Sequence, residues 1–172
     1  MKKKIEKPNL NFWKKKKILI TGHTGFKGGW LCMILHQLGC EISGLALNPS
    51  GKNNFFKSVN LGRILKYDFR QNIGDLKKLE KSVKKCNPDI VFHLAAQSSV
   101  IQSFKDSHDT IISNVLGTVN LLEVIKKNKR IKSAIFVTTD KVYQNYKFRK
   151  FFDENSQLGG DDIYSGSKAC CE

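Results

Sequence analysis

The sequence predicts an α/β protein built on a doubly wound parallel sheet, and three observations predict it. Short apolar runs, among them KILIT, DIVFHLA and KSAIFVTTD, alternate with longer segments of helical period. These runs are near-continuously apolar, the pattern of strands buried on both faces. The first of them ends in a glycine-rich turn that leads directly into a helical pattern. Parallel strands are joined by right-handed crossovers, so helices cover both faces and three layers result.

The elements follow in order. Residues 1–14, MKKKIEKPNLNFWK, form a basic N-terminal extension. KILIT (17–21) reads as a buried strand. WLCMILHQLG follows with Trp30, Leu31, Ile34, Leu35 and Leu38 at helical period, and Gly39 is a C-terminal stop. CEISGLAL (40–47) is strand-like and ends at Asn48-Pro49, with loop signals at Gly51, Asn53 and Asn54. A short third strand fits between Lys66 and Ile73. Asp75 caps a helix over 76–86, which Asn87-Pro88 ends. A strong buried strand covers 89–95, a long amphipathic helix 108–128, and another strand 132–140. A loop fills 141–163, and a helix starts near Tyr164.

A chain of 172 residues with 40% hydrophobic and 26% charged side chains has enough apolar material for one domain with its own core. No apolar run approaches the roughly 20 residues of a membrane span, and the basic N-terminus lacks the apolar stretch of a signal peptide. A cytoplasmic location is therefore expected. Cys32, Cys40, Cys86, Cys170 and Cys171 contain no C-x-x-C pair and read as reduced, small hydrophobes. No metal site is expected. The net charge of +15 suits an anionic partner. The lysines are scattered and not interleaved with stacking aromatics, so a nucleotide-bearing small molecule is favoured over nucleic acid or a membrane.

The turn after the first strand reads TGHTGFKGGW, with Gly22, Gly25 and Gly28 three apart. Gly22 lets the strand turn sharply, Gly25 lets backbone approach a pyrophosphate, and Gly28 lets the helix pack on the sheet. The helix-start amides, from Thr24 and Phe26 onward, then face the phosphates. By spacing alone, an ordinary tight turn fits as well. Its place between strand one and helix one is the context the phosphate motif requires. Tyr164 and Lys168 lie four apart on one helix face, where an ammonium favours the phenolate and suits the phenol as a base. A surface pair reads the same way. Thr138-Thr139-Asp140-Lys141 puts a hydroxyl, a carboxylate and an amine at a strand end, where ligands of such sheets bind.

Together, TGHTGFKG, HLAAQ, NVLGTVNLLE, TTDKVY and LGGDDIYSGSK resemble the extended short-chain dehydrogenase/reductase family over residues 12–172. The likeness is greatest to its CDP-glucose 4,6-dehydratase group, through Lys27 in the glycine turn, Asp140-Lys141 and the YSGSK segment. The resemblance implies a Rossmann-like domain over 15–172, incomplete at its C-terminus, that binds NAD, with NADP less favoured. It implies that CDP-glucose becomes CDP-4-keto-6-deoxyglucose through transient reduction of NAD+. In that scheme Tyr164 is the base for the C4 hydroxyl and Lys168 assists it and holds the nicotinamide ribose. Thr139 hydrogen-bonds near C4, Asp140 protonates the departing C6 hydroxyl, and Lys141 serves the C5 step. The cofactor is expected against Gly22, Thr24, Gly25, Phe26, Gly28, Asn48, Asp75, Leu76, Ala95, Ala96 and Gln97, with Asn114 supporting the site. Relatives commonly form dimers.

Three departures accompany the resemblance. Asn48 stands where an acidic residue usually binds the adenosine ribose. SSVIQSF lacks the arginine that relatives place near Ile101 or Gln102. The family continues past Glu172 into more sheet and a substrate domain, so the final strand is expected to have an uncovered edge or face. A nucleotide-sugar epimerase of the same fold and an inactive, truncated cofactor-binding module are the alternatives.

Overall fold

Within Lys17–Thr21 (β1), Leu19 packs into one hydrophobic core, while Ile18 and Ile20 pack into a second. A strand that feeds two cores must sit in the middle of a covered sheet, and β1 does. The computed structural model describes residues 9–51, 54–144 and 151–172. Leu10–Trp13 (α1) precedes β1, and Phe26–Gln37 (α2) follows it. Then come Glu41–Ala46 (β2), Phe55–Ser58 (α3), a 3-10 turn at Leu61–Ile64, and Leu65–Arg70 (β3). Leu76–Cys86 (α4), Ile90–His93 (β4), Val100–Lys105 (α5) and Ser107–Ile111 (α6) continue the chain. A π-helical turn, Ile112–Leu116, joins α6 to Gly117–Lys127 (α7). Ser133–Phe136 (β5), a 3-10 turn at Asp140–Val142 and Ile163–Ala169 (α8) complete it.

The sheet order is β3-β2-β1-β4-β5, and every pairing is parallel. Leu19, Leu45 and Val91 meet Leu79 and Val83 of α4 and Leu121 and Val124 of α7 on one face. Ile18, Ile20, Ile42 and Ile90 meet Cys32 and Leu35 of α2 and Leu61 on the other. The order reverses between β1 and β4, which opens a crevice at the carboxyl ends of the strands. Asp89 pins the opposite end, accepting from Lys17 N at 2.8 Å and pairing with Arg130 at 3.0 Å.

The predicted sheet and helix order is present, with local corrections. α2 starts at Phe26 rather than Trp30, with Gly25 as its N-cap. Its buried face is Gly28, Gly29, Cys32 and Leu35, whereas Trp30 and Ile34 are exposed. Of the expected apolar residues, Leu35 is buried and Leu31 and Leu38 pack against the core, while Trp30 and Ile34 are turned away because a helix that packs tightly on backbone presents its glycines to the sheet. The last strand is shorter than predicted; Thr138 to Asp140 leave the sheet. Its partner on one side only is β4, and Ile135 and Val137 are exposed there. Trp13 packs against the second core, so packed structure begins inside the stretch read as an extension. The first eight residues of that extension, and 145–150 of the loop predicted over 141–163, lie outside the described residues. Among the described residues, no helix is long and apolar enough to cross a membrane, and no His, Cys, Asp and Glu side chains are grouped to hold a metal.

Candidate active site

Gly22 adopts φ +74°, a conformation that L side chains rarely take. A Cβ there would stand 2.7 Å from both Ala95 N and the Leu94 carbonyl carbon. A Cβ on Gly28 would collide with the Gly22 carbonyl. The two glycines therefore lock helix onto turn and turn onto the exit of β4. Gly25 N donates to Gly22 O at 3.0 Å, closing the turn. As N-cap, Gly25 has no side chain to satisfy the first amides of α2. Those amides open onto a cavity of about 580 Å³, which this backbone lines from Gly22 through Gly28 apart from the buried His23.

The cavity crosses the carboxyl edge of the sheet. At the β3 end it is lined by Gln71, Asn72 and Ile73, and at the β2 end by Leu45, Ala46 and Leu47. Leu94 to Ser98 line it beyond β4, and Val137 and Thr138 beyond β5. Tyr164 and Lys168 close that last end. Gln71 Oε1 accepts from Ser82 Oγ at 3.0 Å, and its Nε2 is buried without a partner among the described residues.

Asp162 begins α8 by accepting from Ser165 N at 2.9 Å and Ser165 Oγ at 2.6 Å. That start brings Tyr164 and Lys168 inward, and both are buried. Lys168 Nζ donates to the Val137 carbonyl at 2.9 Å. Burial pushes the Lys168 ammonium below its ordinary value, with Cys171 and Glu172 pulling the other way. Asn114, in the π-turn, joins the two halves of the site. Its Oδ1 accepts from Gln97 N at 2.8 Å, and its Nδ2 donates to Gln97 O at 3.0 Å and Ser167 Oγ at 2.8 Å. Such a turn places one additional residue in a helix and is frequent at functional positions.

The structure brings Gly22, Thr24, Gly25, Phe26, Gly28, Ala95, Ala96, Gln97, Tyr164 and Lys168 into this one cavity. Seven other predicted residues stand outside its lining. Asn114 acts from behind it. Asn48 is exposed, one residue past Leu47. Asp75 is committed to capping α4 through Lys78 N at 3.1 Å, and Leu76 packs against the core. The lining at this end is Gln71–Ile73 instead, at the tip of β3 where strand-end logic points. Thr139 caps the 3-10 turn and donates to Asp140 Oδ1 at 3.0 Å, while Asp140 and Lys141 are exposed. Lys27, quoted in the motif but not assigned a contact, also lines the cavity.

Residues 19–172 match the family described as GDP-mannose 4,6 dehydratase. The chain is 40% identical over 162 residues to CDP-glucose 4,6-dehydratase of Salmonella typhimurium, covering 94% of this chain and 45% of that protein. Its fold is similar to UDP-glucose 4-epimerase of Thermotoga maritima with UDP-glucose, at TM-score 0.76 and 29% identity, over 88% of this chain and 47% of that one. It is likewise similar to dTDP-glucose 4,6-dehydratase of Bacillus anthracis in complex with NAD, at TM-score 0.73 and 29% identity, over 90% and 47%. The chain thus spans just under half the length of each of these proteins.

Proposed function

The chain belongs to the GDP-mannose 4,6 dehydratase family, and from that premise we propose that it forms the cofactor-binding and catalytic half of a nucleotide-sugar 4,6-dehydratase that uses NAD+ and acts on CDP-glucose. The observation that carries this reading is one cavity that holds the glycine turn at one part and the buried Tyr164–Lys168 pair at another. The residues present fit a dinucleotide. The turn leaves no room for a Cβ at Gly22 or Gly28, and the first amides of α2 are uncapped, which suits a pyrophosphate. Gln71, Asn72 and Leu47 then hold the adenosine end, and Tyr164 and Lys168 the reacting end.

Bound NAD+ supplies hydride acceptance and return. The chain's own residues supply positioning and proton movement. Tyr164 takes the proton of the C4 hydroxyl, and Lys168, fixed on Val137 O, keeps a positive charge beside it. The C4 ketone acidifies C5–H, Lys141 takes that proton, and Asp140 protonates the C6 hydroxyl as it leaves. Thr139 hydrogen-bonds near C4. Asp140 and Lys141 are solvent-exposed on their 3-10 turn, so these two roles require that turn to close over the sugar.

A dimer forms part of the same proposal. Ile111, Leu116, Val119 and Leu122 are all exposed on the run from α6 to α7. A second copy that covers them removes this apolar surface from water. Light scattering of the chain and of Leu122→Glu tests it; a monomer in both sinks the dimer.

The first experiment is titration of the chain with NAD+. Next, the protein extended to the length of its relatives is supplied with CDP-glucose and NAD+, and the product is identified. A 4-keto-6-deoxy sugar supports the dehydratase. A C4 epimer supports an epimerase, the reading favoured by the exposure of Asp140 and Lys141 and by the epimerase likeness. No binding of NAD+ at millimolar concentration defeats both.

A further inference from the structure

His93 closes β4 and is buried, yet it does not line the cavity. Its ring joins two hydroxyls. Nδ1 lies 2.6 Å from Thr21 Oγ1, and Nε2 lies 3.1 Å from Thr118 Oγ1. The neighbours of those hydroxyls fix every proton between them. Thr118 Oγ1 donates to the Asn114 carbonyl at 2.6 Å, so it must accept from His93 Nε2–H. Thr21 Oγ1 accepts from Leu94 N at 3.2 Å and Ala95 N at 3.1 Å, so its own hydrogen goes to His93 Nδ1. The imidazole is therefore neutral, with its proton on Nε2. Burial, with the charge of Lys168 adding to it, pushes this histidine down to about 4, in keeping with a neutral ring.

We propose that His93 is a positioning residue for the dinucleotide: through Thr21 it sets the path of the Leu94–Ala95 backbone against Gly22, and through Thr118 it ties that backbone to Asn114 and the Tyr164–Lys168 helix. The proposal rests on reading the cavity as a dinucleotide site. Leu94 and Ala95 line that cavity and leave no space for a Cβ on Gly22. Leu94 N also donates to the Thr21 carbonyl at 3.1 Å, so the amide that depends on this clamp is that of Ala95; freed, it would turn toward a ligand or water, and the turn would lose the surface that it packs on. Asn114 in turn donates to Ser167 Oγ, which donates to Tyr164 O at 2.7 Å. One neutral ring thus holds together the cofactor end and the reacting end, although it touches neither ligand.

The test uses the 172-residue chain, NAD+ as the probe, and three replacements. His93→Phe keeps the ring and removes both hydrogen bonds. His93→Asn can still accept from Thr21, whereas His93→Gln can reach Thr118 and not Thr21. His93→Phe is expected to bind NAD+ about tenfold more weakly, the scale of one buried hydrogen bond. The amide of Ala95 is expected to exchange about tenfold faster, and that of Leu94, held also by the Thr21 carbonyl, to change less. His93→Asn restores most of both, and His93→Gln restores little. Should His93→Phe not fold, Thr21→Val removes the same clamp from its other end, with the same expected losses. A merely structural role predicts lower melting temperatures in all variants, with NAD+ affinity and Ala95 exchange in the folded molecules unchanged; that result overturns the proposal. Equal rescue by Asn and Gln also overturns it. If the parent chain does not bind NAD+, the dinucleotide reading fails by itself, while exchange at Ala95 still decides what His93 does.

Discussion

The side-chain nitrogen of Lys168 is hydrogen-bonded to the backbone carbonyl of Val137 at 2.9 Å, so the end of the edge strand holds the amine of the helix behind it. The lysine is buried and anchored before any ligand arrives, and that leaves Tyr164, four residues earlier, at a fixed place in the cavity wall.

Replacing Tyr164 by Phe is predicted to separate binding from chemistry. The phenyl ring still fills its buried position, so NAD+ affinity changes by less than about threefold. Turnover of the nucleotide sugar in the protein of full family length falls by about a hundredfold or more, the scale of a lost general base. Near-normal turnover would show that the base lies elsewhere.

Two glycines are predicted to respond in opposite directions. Gly22→Ala must place a Cβ on a left-handed residue and against the Leu94–Ala95 backbone. It is expected to lose about 2 kcal/mol of stability or more and to abolish NAD+ binding. Gly166 lies within α8, and a Cβ there meets nothing within 4 Å. Gly166→Ala is expected to gain about 0.5–1 kcal/mol. Urea unfolding of both variants measures the difference, and equal effects would contradict the packing described here.

Acid is predicted to destabilise the chain through its buried histidines. His93 titrates near 6.5 when unfolded and is pushed down to about 4 by burial and Lys168. His23, buried beside Asp68 at 3.0 Å, is lowered too, first by burial, with Asp68 opposing and Arg70 assisting. The unfolded state therefore binds more protons between those pH values. Stability is full above about pH 6.5 and falls as pH drops toward 4, by about 3 kcal/mol from His93 alone. Unfolding free energy measured across that range should show this slope, and His93→Asn should flatten it. A profile that is flat in the parent would refute the burial of a neutral ring.

The β3 end of the cavity, proposed to hold adenosine, offers a contrast between Asp75 and Gln71. Asp75→Ala removes a helix cap and is expected to lower the melting temperature with no change in NAD+ affinity. Gln71→Leu removes a buried, unpartnered amide nitrogen that borders the cavity. It also takes the acceptor from the buried Ser82 Oγ, so it is expected to cost the free chain about 1 kcal/mol and to weaken AMP binding severalfold. Weaker AMP binding in Asp75→Ala alone would put the adenosine at Asp75 instead.

The strand and helix order was readable because each strand carries a continuous apolar run and each turn its own punctuation. Asp75 and Asn87 bound α4 in the sequence and in the structure alike, since capping is local chemistry. The glycine turn was readable for the same reason. What the sequence hid is set by distant packing. Trp30 and Ile34 have the right period for a buried face, but the face that meets the sheet runs through Gly28, Gly29, Cys32 and Leu35. The resemblance sets Asp75 and Leu76 against the cofactor, while the cavity lining at that end stops at Ile73, two residues before Asp75, because α4 starts where Asp75 caps it. Asn114 was legible by resemblance, yet its three hydrogen bonds depend on a π-turn that no periodicity announces. His93 sits in an apolar strand run, and only its two hydroxyl neighbours distinguish it from the core residues around it.

The strand order has a consequence for the chain as it is made. β1 emerges first, and β2 and β3 can pair on one side of it early. Its other neighbour, β4, begins at Ile90 and is synthesised well after β1 ends at Thr21. At about 5–20 residues per second, the central strand spends several seconds with that side open. During that interval the nascent half-sheet offers apolar backbone to other chains, and Asp89, which will cap Lys17, is not yet present. Productive folding is thus a race between elongation and encounter, and a pause on the message before the codon for Ile90 is where it would be lost.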